Sequence, residues 1–186
     1  MVMEQEIRAQ AETAKAASYR LAALRTDARN KALCAMADAL MAHRDKILHE
    51  NAADVEDAKT SGIRASYLDR LRLDESRVAA MAEGLRLTAA LPDPLGREDY
   101  SVRRPNGLEI RRVRVPLGVI GMIYEARPNV TADAIGLCLK SGNAVLLRGG
   151  SDALRSNRAI ADVLSRAAYA AGIPTGAIQL LTMKDR

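Results

Sequence analysis

The run Leu147-Arg148-Gly149-Gly150-Ser151-Asp152 joins a short apolar stretch to a helix-forming one. Glycines let a backbone approach a ligand closely, and a helix start presents free N–H groups. A guanidinium beside them suits a phosphate bidentately. The chemistry this spacing predicts is anion binding, with Arg148, Gly149, Gly150 and Ser151 as candidate contacts to a nucleotide phosphate. A second reading, a plain βα turn with a solvent-facing Arg148, stands beside it. The chain holds neither GxGxxG nor GxxxxGK[ST], so no standard phosphate loop decides between them.

Tyr124-Glu125-Ala126-Arg127-Pro128-Asn129-Val130-Thr131 follows the longest apolar run and precedes another helix. Asn129 is a candidate donor to a developing oxyanion. The alternative is that Asn129 or Thr131 merely caps the helix. Arg103, Arg104, Arg111, Arg112 and Arg114 form a basic cluster. With no interleaved aromatics for base stacking, a solvated or subunit-contacting arm is expected rather than a nucleic-acid patch. His43 and His49 lack a third ligand, so no metal site is expected. Cys34 and Cys138 form no CxxC pair and read as two buried free thiols. No Ser-His-Asp arrangement is legible.

The elements that must position these groups have two textures. Up to about residue 90 the chain reads as helices. Glu4 to Leu24 is Ala-rich. Thr26 or Asp27 can cap a second helix with Leu33, Met36, Leu40 and Ile47 on one face. Asn51 to Lys59 continues as helix until Gly62, and Asp74 caps a further helix carrying Val78, Met81 and Leu85. The run at 91–96 has two prolines and a glycine and must be a loop. Asn106-Gly107 signals a hairpin, since both residues tolerate positive φ. After Pro116 the order is strand (Leu117 to Tyr124, expected buried), helix to Ser141-Gly142, strand (Ala144 to Leu147), helix capped by Ser151 or Asp152, and strand (Ala177 to Leu181). Such βαβαβ order implies a parallel sheet with right-handed crossovers.

The 186 residues suffice for a sizeable core, and 48% hydrophobic with 27% charged residues is ordinary for a globular protein. With 3% aromatics and neither Trp nor Phe, that core must come from Ala, Leu, Ile, Val and Met. A net charge of +5 favours anionic ligands without choosing among them. No stretch suits a membrane span and the first ten residues do not read as a secretory signal, so a cytoplasmic protein is expected.

Taken together, RVPLGVIGMIYEARPNVTADAIGLCLKSGNAVLLRGG, the loop LPDPLG, the arm RPNGLEIRRVRVPLG and the terminal IPTGAIQLLTMKDR resemble the γ-glutamyl phosphate reductase family, within the aldehyde dehydrogenase superfamily. The resemblance covers nearly the whole chain. It implies NADPH-dependent reduction of γ-glutamyl 5-phosphate to glutamate 5-semialdehyde and phosphate, through a cysteine thioester, in proline biosynthesis. It places Arg148 where the superfamily's Lys meets the adenosine ribose. Ser151 falls where NAD-preferring members often hold a Glu. A cation and a small hydroxyl there favour the 2′-phosphate of NADPH. Tyr124, Glu125 and Ala126 fall along the cofactor-lining segment. Asn129 is a candidate for the oxyanion-binding Asn, although ungapped alignment puts Arg127 there.

The motif around the family's nucleophilic Cys does not occur, so the chain is expected to end before it and to be inactive alone. The expected architecture is α/β and aldehyde-dehydrogenase-like. Residues 1–99 form the helical part of the cofactor-binding domain, 100–114 a hairpin arm that joins subunits into a homo-oligomer, and 115–186 an incomplete βαβαβ unit. No nucleic-acid or membrane partner is expected. The rivals are a non-catalytic nucleotide-binding or assembly module and, behind it, a basic nucleic-acid-binding protein.

Overall fold

The structure is a computed structural model that describes residues 2–125 and 127–183. Five helices open the chain: α1 (Val2–Ala22), α2 (Thr26–Ala42), α3 (Arg44–Thr60), α4 (Ala65–Leu71) and α5 (Glu75–Ala90). A hairpin follows, β1 (Glu98–Arg103) with β2 (Glu109–Val113). Then come β3 (Val119–Ile123), α6 (Asn129–Lys140), β4 (Ala144–Arg148), a 3-10 turn (Ser151–Ala153), α7 (Leu154–Ala170) and β5 (Ile178–Leu180).

β3, β4 and β5 form a three-stranded parallel sheet in that order. Its helices α6 and α7 cover one face, and α1 lies across the other. The core runs from the sheet into the helical layer: Val145 and Leu147 of β4 belong to one apolar cluster with Ile135 and Leu139 of α6, Ile160 and Leu164 of α7, Leu33 and Met36 of α2, and Leu85 of α5. The helices before the arm and the alternating elements after it therefore share a single interior.

Five expectations need correction here. Neither Thr26 nor Asp27 caps α2: Arg25 stands at the N-cap without a side-chain bond, and both residues lie in the first turn. The stripe Leu33, Met36, Leu40, Ile47 is not one helix face: the helix breaks at His43, and Ile47 belongs to α3. All four side chains are nonetheless buried in the same core. Thr131 does not cap α6; it lies inside the first turn and is buried. The apolar run at 117–124 is not a buried strand. Among the described residues β3 pairs only with β4, and Leu117 and Ile123 are 84% and 82% exposed. A hydrophobic run reports strand tendency, whereas burial depends on what lies beside and above it. Cys34 is exposed, on the outer side of α2, and only Cys138 is buried.

α4 had no sequence signal. It lies over a satellite cluster of Val55, Ala58, Leu71 and Ala153, which ties it to α3 and to the turn after β4. Asp74 caps α5 as expected, accepting the Arg77 N–H at 2.8 Å.

The hairpin forms where Asn106-Gly107 placed it, but only Gly107 has positive φ (87°). Its loop is longer than a two-residue turn: Arg104 donates its N–H to the Leu108 carbonyl at 2.8 Å, and the Asn106 side chain accepts from Leu108 N–H. At the arm's base, Gly142 (φ 72°) leaves room for Leu95 and Pro116, which a Cβ would meet at 2.7 and 3.0 Å. No helix among the described residues is long and apolar enough to cross a membrane.

Candidate active-site cleft

Beyond the carboxyl ends of β3 and β4, open α/β sheets place their ligands. A cleft of about 980 Å³ runs from one face of β3 and β4, at Gly121 and Leu146, to those ends, where Tyr67 of α4, Tyr124, Arg148, Ser151 and Asp152 border it. Its volume is near the top of the roughly 300–1,000 Å³ range of small-molecule sites. The strand register explains how its walls meet. Ile123 is opposite Arg148, and Tyr124 extends the ladder by donating its N–H to the Arg148 carbonyl at 3.1 Å. Two sequence segments about 25 residues apart are thereby brought side by side. Tyr124, Glu125, Arg148, Gly150 and Ser151 all border the cleft. Ala126 lies outside the described residues.

The glycine pair works differently from the expectation. Gly149 is not held open for a ligand: a Cβ there would be 2.1 Å from Asn157 Nδ2 and 3.2 Å from the Tyr124 ring. It is glycine because two side chains pack against its Cα. Those side chains belong to a buried chain of polar groups. The Tyr124 hydroxyl is 2.6 Å from the Thr131 hydroxyl, which donates to Asn157 Oδ1 at 3.0 Å. Burial pushes the Tyr124 phenol above its ordinary pKa, so it stays protonated. End of β3, first turn of α6, and α7 are thus locked together behind the cleft wall.

The start of α7 is also not a free anion site. Ser151 and Asp152 form the 3-10 turn and make no cap. The helix is capped from outside by Asp54 of α3, which accepts the N–H of Ser156 at 2.8 Å and of Arg155 at 3.4 Å. A carboxylate already fills the place where a phosphate was expected. Asp54 is named by no local motif; it is an acidic residue within a helix whose partner is about 100 positions away.

Tyr67 is the other residue that sequence reading missed. Its hydroxyl donates to Asp152 Oδ2 at 2.9 Å. Burial, the bond to Asp152 and the nearby charges of Asp152 and Glu125 push the phenol up to about 12. It therefore holds its proton and anchors the Asp152 carboxylate at the cleft rim. Arg148 borders the cleft, and its Nη1 donates to the Gly149 carbonyl at 3.4 Å. Asn129 is not in this cleft. It opens α6, donates to Asp133 at 3.3 Å and borders a separate groove with Arg127.

The chain belongs to the aldehyde dehydrogenase family, whose model matches residues 2–186. Within that family it is similar to γ-glutamyl phosphate reductases, as the motifs quoted above implied. The enzyme of that name from Thermoanaerobacter sp. (strain X514) is 59% identical over 181 residues, covering 97% of this chain and 44% of the relative. The crystal structure of γ-glutamyl phosphate reductase from Thermotoga maritima superposes with a TM-score of 0.94 at 41% identity, over 97% of this chain and 44% of that one. That from Saccharomyces cerevisiae gives 0.90 at 31%, over 95% and 46%. The chain spans less than half the length of these relatives. The α/β, aldehyde-dehydrogenase-like architecture expected from the sequence is the one observed.

Proposed function

We propose that this chain is the amino-terminal, cofactor-binding part of an NADPH-dependent reductase that converts γ-glutamyl 5-phosphate to glutamate 5-semialdehyde and phosphate in proline biosynthesis. The observation that carries the reading is 59% identity to a γ-glutamyl phosphate reductase, sustained over 97% of the chain. The cleft supports it. Arg148 offers a permanent cation and Ser151 a small hydroxyl beside a groove of dinucleotide size. Tyr124 and Glu125 line the same groove, and Gly150 lets the backbone approach it. NADPH, when bound, supplies the hydride. Asn129 is our candidate for steadying an oxyanion: one N–H of its amide serves Asp133, which leaves the second to donate.

Neither cysteine serves as the nucleophile in this reading. Cys138 is buried in α6 with its thiol pushed up to about 11, and Cys34 is on the outer side of α2. We assign the thiol to the part of the relatives that lies outside the match. The arm joins subunits into a homo-oligomer. Its exposed Tyr100, Leu108, Ile110 and Val113 support this, because apolar side chains on a two-stranded ribbon need cover. Two of its five clustered arginines are ion-paired, Arg114 with Asp99 and Arg111 with Glu109, and a third, Arg112, lies over the Tyr100 ring. That argues against a nucleic-acid partner, and we place the protein in the cytoplasm.

One feature favours NADH as the second reading: Glu125 and Asp152 put two carboxylates on the cleft rim. Titration with NADPH and NADH, followed by nicotinamide fluorescence, separates the two. NADPH is expected to bind more tightly, Arg148→Glu to weaken it by more than about tenfold, and Asp152→Asn to strengthen it. Unchanged binding in Arg148→Glu removes Arg148 from the site. A preference for NADH overturns the cofactor assignment.

A further inference from the structure

The segment that leaves β3 serves two hollows. Tyr124 and Glu125 border the cleft, and two residues on, Arg127 and Asn129 border a second groove of about 450 Å³. Its other walls are the end of α4, the turn into α5 with Arg72, and Asp133 of α6. Leu73 and Met81 form an apolar floor.

Charge in this groove does not balance. Arg77 is consumed locally: it donates to the backbone carbonyls of Asp69 and Arg72 and pairs with the Asp69 carboxylate at 3.1 Å. That contact also neutralises Asp69. The guanidinium groups of Arg70, Arg72 and Arg127 make no ion pair or side-chain hydrogen bond among the described residues. Three planar, five-donor cations thus surround one groove, and the remaining carboxylate is Asp133. They come from two separate stretches, so this is not a charge run along one helix. Arg70 comes from the last turn of α4 and Arg72 from the connection that follows it, whereas Arg127 arrives on the loop after β3. Convergent guanidiniums without partners are the donor set for a carboxylate or phosphate. A lone carboxylate among them repels a dianionic phosphate but complements an ammonium carried by the same molecule. The combination matches a zwitterionic amino acid.

Resting on the reductase reading above, we propose that this groove is the substrate's amino-acid subsite, with Arg70, Arg72 and Arg127 taking its α-carboxylate and Asp133 its α-ammonium. The shared loop then gives the arrangement a purpose. Cofactor and substrate approach opposite ends of one six-residue segment, Tyr124 to Asn129, whose near end is fixed by the Tyr124–Thr131 bond.

The test uses the 186-residue chain, with L-glutamate as the probe for the amino-acid end, and glutarate, inorganic phosphate and NADPH in parallel, read by calorimetry. The three arginines are exposed, so their substitution leaves the core untouched. Glutamate is expected to bind saturably. Arg72→Ala and Arg127→Ala each weaken it about tenfold, and Arg104→Ala on the arm leaves it unchanged. Glutamate is preferred to glutarate, and Asp133→Asn abolishes that preference. Glutamate binding that is absent, or indifferent to Arg72→Ala and Arg127→Ala, overturns the proposal. So does equal binding of glutarate, or phosphate that binds at these arginines more tightly than glutamate. NADPH separates the two ideas: uptake of NADPH without glutamate sinks the groove and leaves the reductase, whereas glutamate held by these arginines without NADPH supports the groove and counts against the cofactor site.

Discussion

The carboxylate of Asp54, within α3, holds Ser156 at the start of α7 by two bonds, from its N–H at 2.8 Å and from its hydroxyl at 2.6 Å. Asn51, one turn earlier on α3, donates to the Ser156 hydroxyl at 3.0 Å and to the Leu71 carbonyl, and accepts from Leu73 N–H. One buried polar knot therefore joins α3, the α4–α5 connection and the helix behind the cleft. Removing Asp54 leaves the N–H groups of Arg155 and Ser156 and the Ser156 hydroxyl without that acceptor.

Asp54→Ala is accordingly expected to destabilise the chain by about 2 kcal/mol, the sum of a lost cap and an unsatisfied buried hydroxyl. Asp54→Asn should cost less, because its amide oxygen still accepts. Urea unfolding midpoints at constant m-value are the measurement; equal midpoints for wild type and Asp54→Ala would show that the cap is not felt.

Gly149 and Asn157 share one space, so their substitutions should not add. Gly149→Ala drives a methyl to within 2.1 Å of the Asn157 amide and is expected to cost about 2 kcal/mol. In a chain already carrying Asn157→Ala, the same change should cost less than half as much, since the methyl enters vacated room. A double-mutant cycle reads the difference, and strict additivity would refute the steric account.

Asp93 sets an acid limit. Burial alone would raise its carboxyl, but the Thr26 hydroxyl, the Leu95 N–H and the charges of Arg29 and Lys140 outweigh it and leave its pKa lowered. Arg29, 97% buried by side chain, meets Asp93 at 2.5 Å and the Lys140 carbonyl at 2.9 Å. A carboxyl whose folded pKa is lowered stabilises fully above its unfolded value, about 3.9, and loses that contribution as pH falls through the folded value. Asp93→Asn should cost about 3 kcal/mol at neutral pH, because it strands a buried cation. Its deficit relative to wild type should shrink as pH is lowered below about 4. A deficit independent of pH would mean the charge is irrelevant.

The two thiols should react unequally. Cys34 is exposed, whereas Cys138 is buried with its thiol pushed up to about 11. Iodoacetamide at pH 8 is expected to label Cys34 in the folded chain within minutes, and Cys138 only after denaturation. Peptide mass spectrometry that finds Cys138 modified first would contradict the burial and reopen it as a nucleophile.

Local chemistry in the chain determined a good deal by itself. Apolar stretches alternating with helix-forming ones required a parallel β3-β4-β5 sheet, Asn106-Gly107 required a turn, and Asp74 required a helix start. These are short-range effects, written in φ preferences and in hydrogen bonds spanning a few residues. The motifs around Tyr124 and Arg148 likewise marked the segments that meet at the cleft. Tertiary structure alone decided what those segments do there. Gly149 makes room for Asn157, Asp54 fills the helix end reserved for a phosphate, Tyr67 arrives on an unforeseen helix, and Arg72 joins Arg127 across a groove. Each depends on which distant side chain is delivered to a given spot, and packing of the shared core settles that. The exposure of β3 shows the same division: its residues favour a strand, but burial is conferred by neighbours.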